Sequence, residues 1–198
     1  MLRLSILLIA TAPLLMGAQP IAKQQAACDT GSAKACAALG LVYQHGRQVK
    51  QDLARAAALF VKACKLGSQD GCTDLGALLL TGKGVKKDTA RALSLYRTAC
   101  AAGHGRGCAS LGYAALKGLG MKRAPKQART LLAKACKLKS AWGCFVLATV
   151  HREKKALKKA RALMQVACKH GSKDACLVAG QMAITGEGGA KDPAKAIT

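Results

Sequence analysis

Apolar positions in this chain recur at helical spacing, and the segments that carry them recur in turn. Counted back from a cysteine, alanine stands eight residues before it at Ala56, Ala92, Ala128 and Ala160. Leucine stands five before it at Leu59, Leu95, Leu131 and Leu163. These offsets gather alanine, leucine and cysteine on one face and predict a helix A over 53–66, 89–102, 126–138 and 158–170, with a short first copy at 21–29. A second helix B is predicted over 33–44, 70–80, 106–117, 141–152 and 173–184. Each B helix holds its own cysteine near its start. Leu39, Leu75, Leu111 and Leu147 follow that cysteine by three residues, and Gly40, Gly76, Gly112 and Gly180 by four, with Ala148 the exception. Glycine inside a helix costs up to ~1 kcal/mol relative to alanine. Its recurrence therefore predicts close approach of a neighbouring helix backbone.

The polar and glycine-rich positions punctuate this pattern. Gly31, Gly67, Gly103 and Gly171 stand where helix A must end in a left-handed residue. Lys139 takes that place in the fourth unit, which predicts a less relaxed turn. Helix B ends in a glycine loop, fullest at 81–88, with variants at 45–52, 117–125 and 185–193. Asp52, Asp88 and Asp192 stand at N-cap positions of the next helix, and Pro125 and Pro193 suit a helix start. The fourth unit lacks the loop: its segment 151–159 is four residues shorter and has no glycine. Its helices should be tightly joined or nearly fused, bending the array locally. Residues 191–198 read as the opening of a sixth helix A.

All ten cysteines belong to the pattern, eight positions apart in each unit: Cys28 with Cys36, Cys64 with Cys72, Cys100 with Cys108, Cys136 with Cys144, and Cys168 with Cys176. The first members follow one another at intervals of 36, 36, 36 and 32 residues, and each is preceded by alanine. A period of this size marks a repeat architecture. Pairing within each unit is the arrangement that makes the units equivalent, so five local disulfides are expected. Late in helix A and early in helix B, the two sulfurs can meet across a hairpin. A zinc site needs four ligands at tighter spacing, and a redox pair reads C-x2-C. His45, His104, His151 and His170 share no register with the cysteines. No metal or cofactor is implied.

Composition agrees with packed helices: 51% of residues are apolar, only 3% aromatic, and Trp142 is the sole tryptophan. Tyr43, Phe60, Tyr96, Tyr113 and Phe145 sit at helical positions and read as core. The net charge is +23, which favours anionic partners such as cell-wall polymer, lipid headgroups or acidic proteins. Basic segments at 83–87, 121–126 and 152–159 fall mainly on inter-repeat loops, as a solvated or anion-capturing edge. Few aromatics and no reader motif argue against nucleic acid. At the N-terminus, Arg3 precedes an apolar run from Leu4 to Leu15, too short to span a bilayer but suited to a secretory signal. A signal peptide at 1–18 is therefore expected, with a repeat domain of about five units at 19–198. Export and ten paired cysteines support each other, because disulfides persist in the periplasm or outside the cell.

The unit A-x-x-L-x-x-x-A-C-x-x-G-x-x-x-G-C-x-x-L-G-x-x-x-x-x-G-x-G-V-x-x-D resembles the Sel-one-like repeat, related to the tetratricopeptide repeat. The seven residues between paired cysteines resemble the secreted Helicobacter cysteine-rich protein family. The second and third units carry the pattern best; the fourth departs in its loop and at Lys139. The resemblance implies an all-α fold, a right-handed α/α superhelix of helix hairpins, each stapled by its own disulfide. It also implies a protein-binding scaffold, read here as a monomer that takes a protein or peptide on its concave face. Several family members are known as β-lactamases or penicillin-binding proteins, so β-lactam hydrolysis or cell-wall-peptide binding is the alternative. The residues name no catalytic set for it: S-x-x-K, S-D-N, K-T-G, G-x-S-x-G and H-E-x-x-H are all missing. Gly82-Lys83-Gly84 lacks phosphate-loop spacing and reads as helix punctuation.

Overall fold

The computed structural model describes residues 19–196; the expected signal segment, 1–18, lies outside them. Ten α-helices follow one another: α1 (Gln19–Asp29), α2 (Ala33–His45), α3 (Leu53–Lys65), α4 (Gln69–Thr81), α5 (Thr89–Ala101), α6 (Gly105–Lys117), α7 (Pro125–Lys137), α8 (Ala141–Glu153), α9 (Leu157–Lys169) and α10 (Lys173–Thr185). A 3₁₀ turn at Pro193–Ala196 stands where a sixth helix A was expected. No strand occurs among the described residues. The odd helices are the A copies and the even helices the B copies, each within a residue or two of its predicted bounds. The fold is an α-solenoid of stapled hairpins.

Helix ends follow from local chemistry. Asp52 and Asp88 accept the backbone N–H of Arg55 and Arg91, each at 2.9 Å, and so cap α3 and α5. Pro125 opens α7. Between the two helices of a hairpin, Gly31, Gly67, Gly103 and Gly171 all have positive φ, and Lys139 takes the same conformation at φ +60°. Past each such turn a serine caps the B helix: Ser32, Ser68, Ser140 and Ser172. His104 fills that place in the third unit, its Nδ1 accepting from Gly107 N–H at 3.4 Å.

Each hairpin is closed by a disulfide between its own two cysteines. Cys28 is bonded to Cys36, Cys64 to Cys72, Cys100 to Cys108, Cys136 to Cys144, and Cys168 to Cys176, with Cα atoms 4.4–4.6 Å apart. Closing so short a loop stabilises by about 2–2.5 kcal/mol in the chain-entropy model. The glycine before Cys72, Cys108 and Cys144 makes room for this approach. A Cβ on Gly71, Gly107 or Gly143 would stand 2.5–2.6 Å from the Cβ of Ala63, Ala99 or Ala135. Alanine stands before Cys36 and Cys176 instead.

Hairpins join through a different contact. The fully buried stripe of helix A runs one residue over from the predicted one: Ala56, Phe60 and Ala63 in α3, with Ala92, Tyr96 and Ala99 in α5. The bulky member of each stripe lies over the glycine of the preceding B helix. A Cβ on Gly40 would stand 2.5 Å from Phe60 Cε1, one on Gly76 2.6 Å from Tyr96 Cε1, and one on Gly112 2.9 Å from Leu132 Cγ. The helical glycines thus admit a side chain from the next helix, not its backbone as expected. In the fourth unit the flexible Met164 packs with Ala148, and a methyl is tolerated.

The fourth unit is not fused. Lys154–Ala156 links α8 to α9, with Lys155 at φ +57°. The glycine loops of other units fold back on the start of the preceding A helix; a Cβ on Gly84 would meet the Leu53 backbone. The short link has no such loop to lay over the start of α7. An open cleft of about 620 Å³ lies there, lined by Pro125, Lys126, Arg129 and Lys154 among others.

Candidate functional site: the groove along the even helices

Helices α2, α4, α6 and α8 touch one another in series, most closely between α6 and α8. Their outward faces line two adjoining cavities. One, of about 610 Å³, lies between α2 and α4 against Lys34, Ala38, Leu41 and Asp70. The other, of about 620 Å³, spans α4, α6 and α8 against Ala77, Leu80, Tyr113, Lys139 and Trp142. Asp74 and Arg106 belong to both.

A charged bridge crosses the groove at their junction. From α6, Arg106 donates through Nη1 to Asp70 at 2.9 Å and through Nη2 to Asp74. His104 Nδ1 accepts from the backbone, so Nε2 carries the proton that is donated to Asp70 at 3.1 Å. Asp74 is buried, and its Oδ2 has no hydrogen-bond partner. Burial pushes its carboxyl above the usual aspartate range, and the adjacent Arg106 opposes that shift. The buried Tyr96 phenol, behind the same wall, is pushed up to about 12 by burial and then by Asp74. The bridge joins two turns of α4 to the first turn of α6 and fixes one repeat against the next.

Beyond the bridge the groove turns aromatic. Trp142 is 41% exposed, and its ring meets Tyr113 with centroids 5.3 Å apart, tilted by 49°. Tyr113 is thus a half-buried groove residue, whereas Tyr43, Phe60 and Tyr96 are core as expected. Stacked on the cysteines, Trp142 holds the place of Lys34, Asp70, Arg106 and Asp174. The first four of these positions, Lys34, Asp70, Arg106 and Trp142, form the row along which the groove changes character.

The groove offers an apolar wall, hydroxyls from Thr73, Ser110 and Ser140, and charges of both signs. Among the described residues no three His, Cys, Asp or Glu side chains converge to hold a metal ion. Cys36, Cys72, Cys108, Cys144 and Cys176 stand near the starts of the even helices, but with their partners they are consumed in disulfides and leave no free thiol. No described helix is long and apolar enough to cross a membrane. The sequence marks Lys139 as the departure at the fourth turn and Trp142 as the sole tryptophan, but the Asp70–Asp74–Arg106 bridge was missed. Its signal is two aspartates four apart on a B helix, with an arginine one repeat on from the first.

The family model of the Sel1 repeat matches residues 33–68, 69–104, 105–140 and 173–198. The first three matched units each run from an even helix through the following odd helix, and the last begins at α10, so in that phase the disulfides tie each repeat to its neighbour. The unmatched stretch, 141–172, contains the short link. Among solved structures, a Sel1 repeat protein from Oxalobacter formigenes is 24% identical over 89% of this chain and 72% of its own, with a TM-score of 0.75. Helicobacter pylori cysteine rich protein B is 34% identical over 66% of this chain and 94% of its own, with a TM-score of 0.50. The c5321 protective antigen of uropathogenic Escherichia coli, which displays the same repeat fold, is 26% identical over 91% of this chain, with a TM-score of 0.67. The present chain spans 39% of that antigen's length. No curated protein sequence matches significantly.

Proposed function

The chain belongs to the Sel1 repeat family, and from that premise we propose that it is an exported scaffold that binds a protein or peptide along the groove of its even helices. The observation that carries this reading is the continuous groove over α2, α4, α6 and α8, ending in an exposed Trp142–Tyr113 pair. Solenoids present such surfaces to extended partners, and large aromatic side chains supply much of the energy at recognition surfaces. Export is supported by five disulfides with no free thiol, by the apolar run near the N-terminus, and by the likeness to the cysteine rich protein.

The test is affinity capture from periplasm or culture medium at low and high salt, comparing the native chain with Ala77→Arg. Ala77 is exposed and lines the groove, so arginine fills the groove without entering the core. A partner retained in high salt and lost on Ala77→Arg supports the proposal. Partners indifferent to Ala77→Arg contradict it. The β-lactam alternative is addressed on the same preparation with a chromogenic cephalosporin; turnover would overturn the preference for a pure binding role.

A second reading rests on a different observation, the cleft over the start of α7. Lys126, Arg129 and Lys154 line it, and none makes an ion pair among the described residues. This cleft suits an anionic cell-wall polymer or lipid surface. Binding that disappears between low and high salt, whatever the state of the groove, favours it.

A further inference from the structure

We infer that the cavity between α4, α6 and α8 seats a large apolar or aromatic side chain of an extended partner segment, with a carboxylate next to it that reaches Lys139. The inference rests on the groove reading above and adds the chemistry of the occupant.

Three observations converge on it. Lys139 occupies the turn position that is glycine in the other four units, and it holds φ +60°. L side chains adopt that conformation at a cost, and such outliers gather at functional sites. The lysine lines the cavity and makes no ion pair among the described residues. Three residues on, Trp142 replaces the charged residue found at its position in every other unit, and it stays 41% exposed. With Tyr113, Ala77 and Leu80 it forms an apolar wall at the rim of which Lys139 stands. The departures of the fourth unit therefore fall together at one cavity.

Charge then selects the occupant and its direction. Elsewhere on the cavity wall Asp74 stands beside Arg106, whose guanidinium is already shared between Asp74 and Asp70, so a partner carboxylate is disfavoured there and favoured at Lys139. The net charge of +23 draws acidic segments and repels basic ones during approach. An acidic segment with an embedded aromatic or large aliphatic residue satisfies both the apolar wall and the lysine.

The test is a selection of random twelve-residue displayed peptides on the disulfide-bonded protein, with counter-selection on Ala77→Arg. The expected result is enrichment of an aromatic or large aliphatic residue beside Asp or Glu, lost on Ala77→Arg. A groove-dependent consensus of another kind overturns this inference and leaves the groove reading standing. Absence of any groove-dependent sequence overturns both. The winning peptide is then titrated against Trp142 fluorescence, which reports on this cavity alone because the chain has one tryptophan. Lys139→Gly restores the residue of the other units. It should raise Tm by about 2–4 °C by relaxing the turn while weakening the peptide about two- to fivefold. A rise in Tm with unchanged affinity would show that the lysine plays no part.

Discussion

At the residue scale, the sign of a glycine substitution in this protein is set by what lies opposite it. Helix propensity alone favours alanine over glycine by up to ~1 kcal/mol. At Gly76 the added Cβ would come within 2.6 Å of a ring carbon of Tyr96, which is only 2% exposed and has nowhere to move. Overpacking of a closed core costs about 1–3 kcal/mol, so Gly76→Ala should destabilise. Position 148 reverses the argument, because its alanine and the flexible Met164 are already buried in one apolar cluster. Ala148→Gly should therefore destabilise too, through lost propensity and lost packing. Denaturant titration of both variants checks the pair; stabilisation by Gly76→Ala would show that the ring does not fill the glycine notch.

At the element scale, most of the helices were legible in the sequence because each repeat states its pattern again. Ala56, Leu59 and Cys64 are enough to find the face of α3 to within one residue, and the caps at Asp52 and Asp88 follow from position alone. Contacts between repeats were harder to read. Nothing local marks Arg106 as the partner of Asp70 and Asp74, since the three meet only when α4 and α6 stack. The serine caps were legible but hidden by their own exception, His104. The α8–α9 junction supplies an element-scale prediction. The His151 pKa is held below the usual histidine range by burial, then by Lys159, Arg129 and Lys154, which approach from α9, α7 and the link. The unfolded chain therefore binds the proton first as pH falls, and stability is lost as pH drops through the ordinary histidine range toward the folded value. His151→Gln should flatten the fall of Tm between about pH 7 and pH 5. An unchanged slope would mean that neither burial nor those cations hold the ring's pKa down.

At the scale of the whole molecule, the disulfide staples and the proposed binding groove occupy different parts of the repeat. Five cystines, each worth about 2–2.5 kcal/mol, are together comparable to the net stability of roughly 5–15 kcal/mol typical of a domain. They act inside hairpins, at positions where the repeats are alike. The groove is built where the repeats differ, along the row Lys34, Asp70, Arg106 and Trp142. Its role as a binding surface is tested most directly by a photo-crosslinking amino acid placed at single positions of the disulfide-bonded protein exposed to periplasmic extract or culture medium. Ala77 in α4 faces the groove, whereas Ser94 in α5 is exposed on an odd helix and lines none of the cavities described above. Crosslinks to a partner from Ala77 and not from Ser94 are the predicted result. Crosslinks from Ser94 with none from Ala77 would contradict it and move the binding surface to the odd helices.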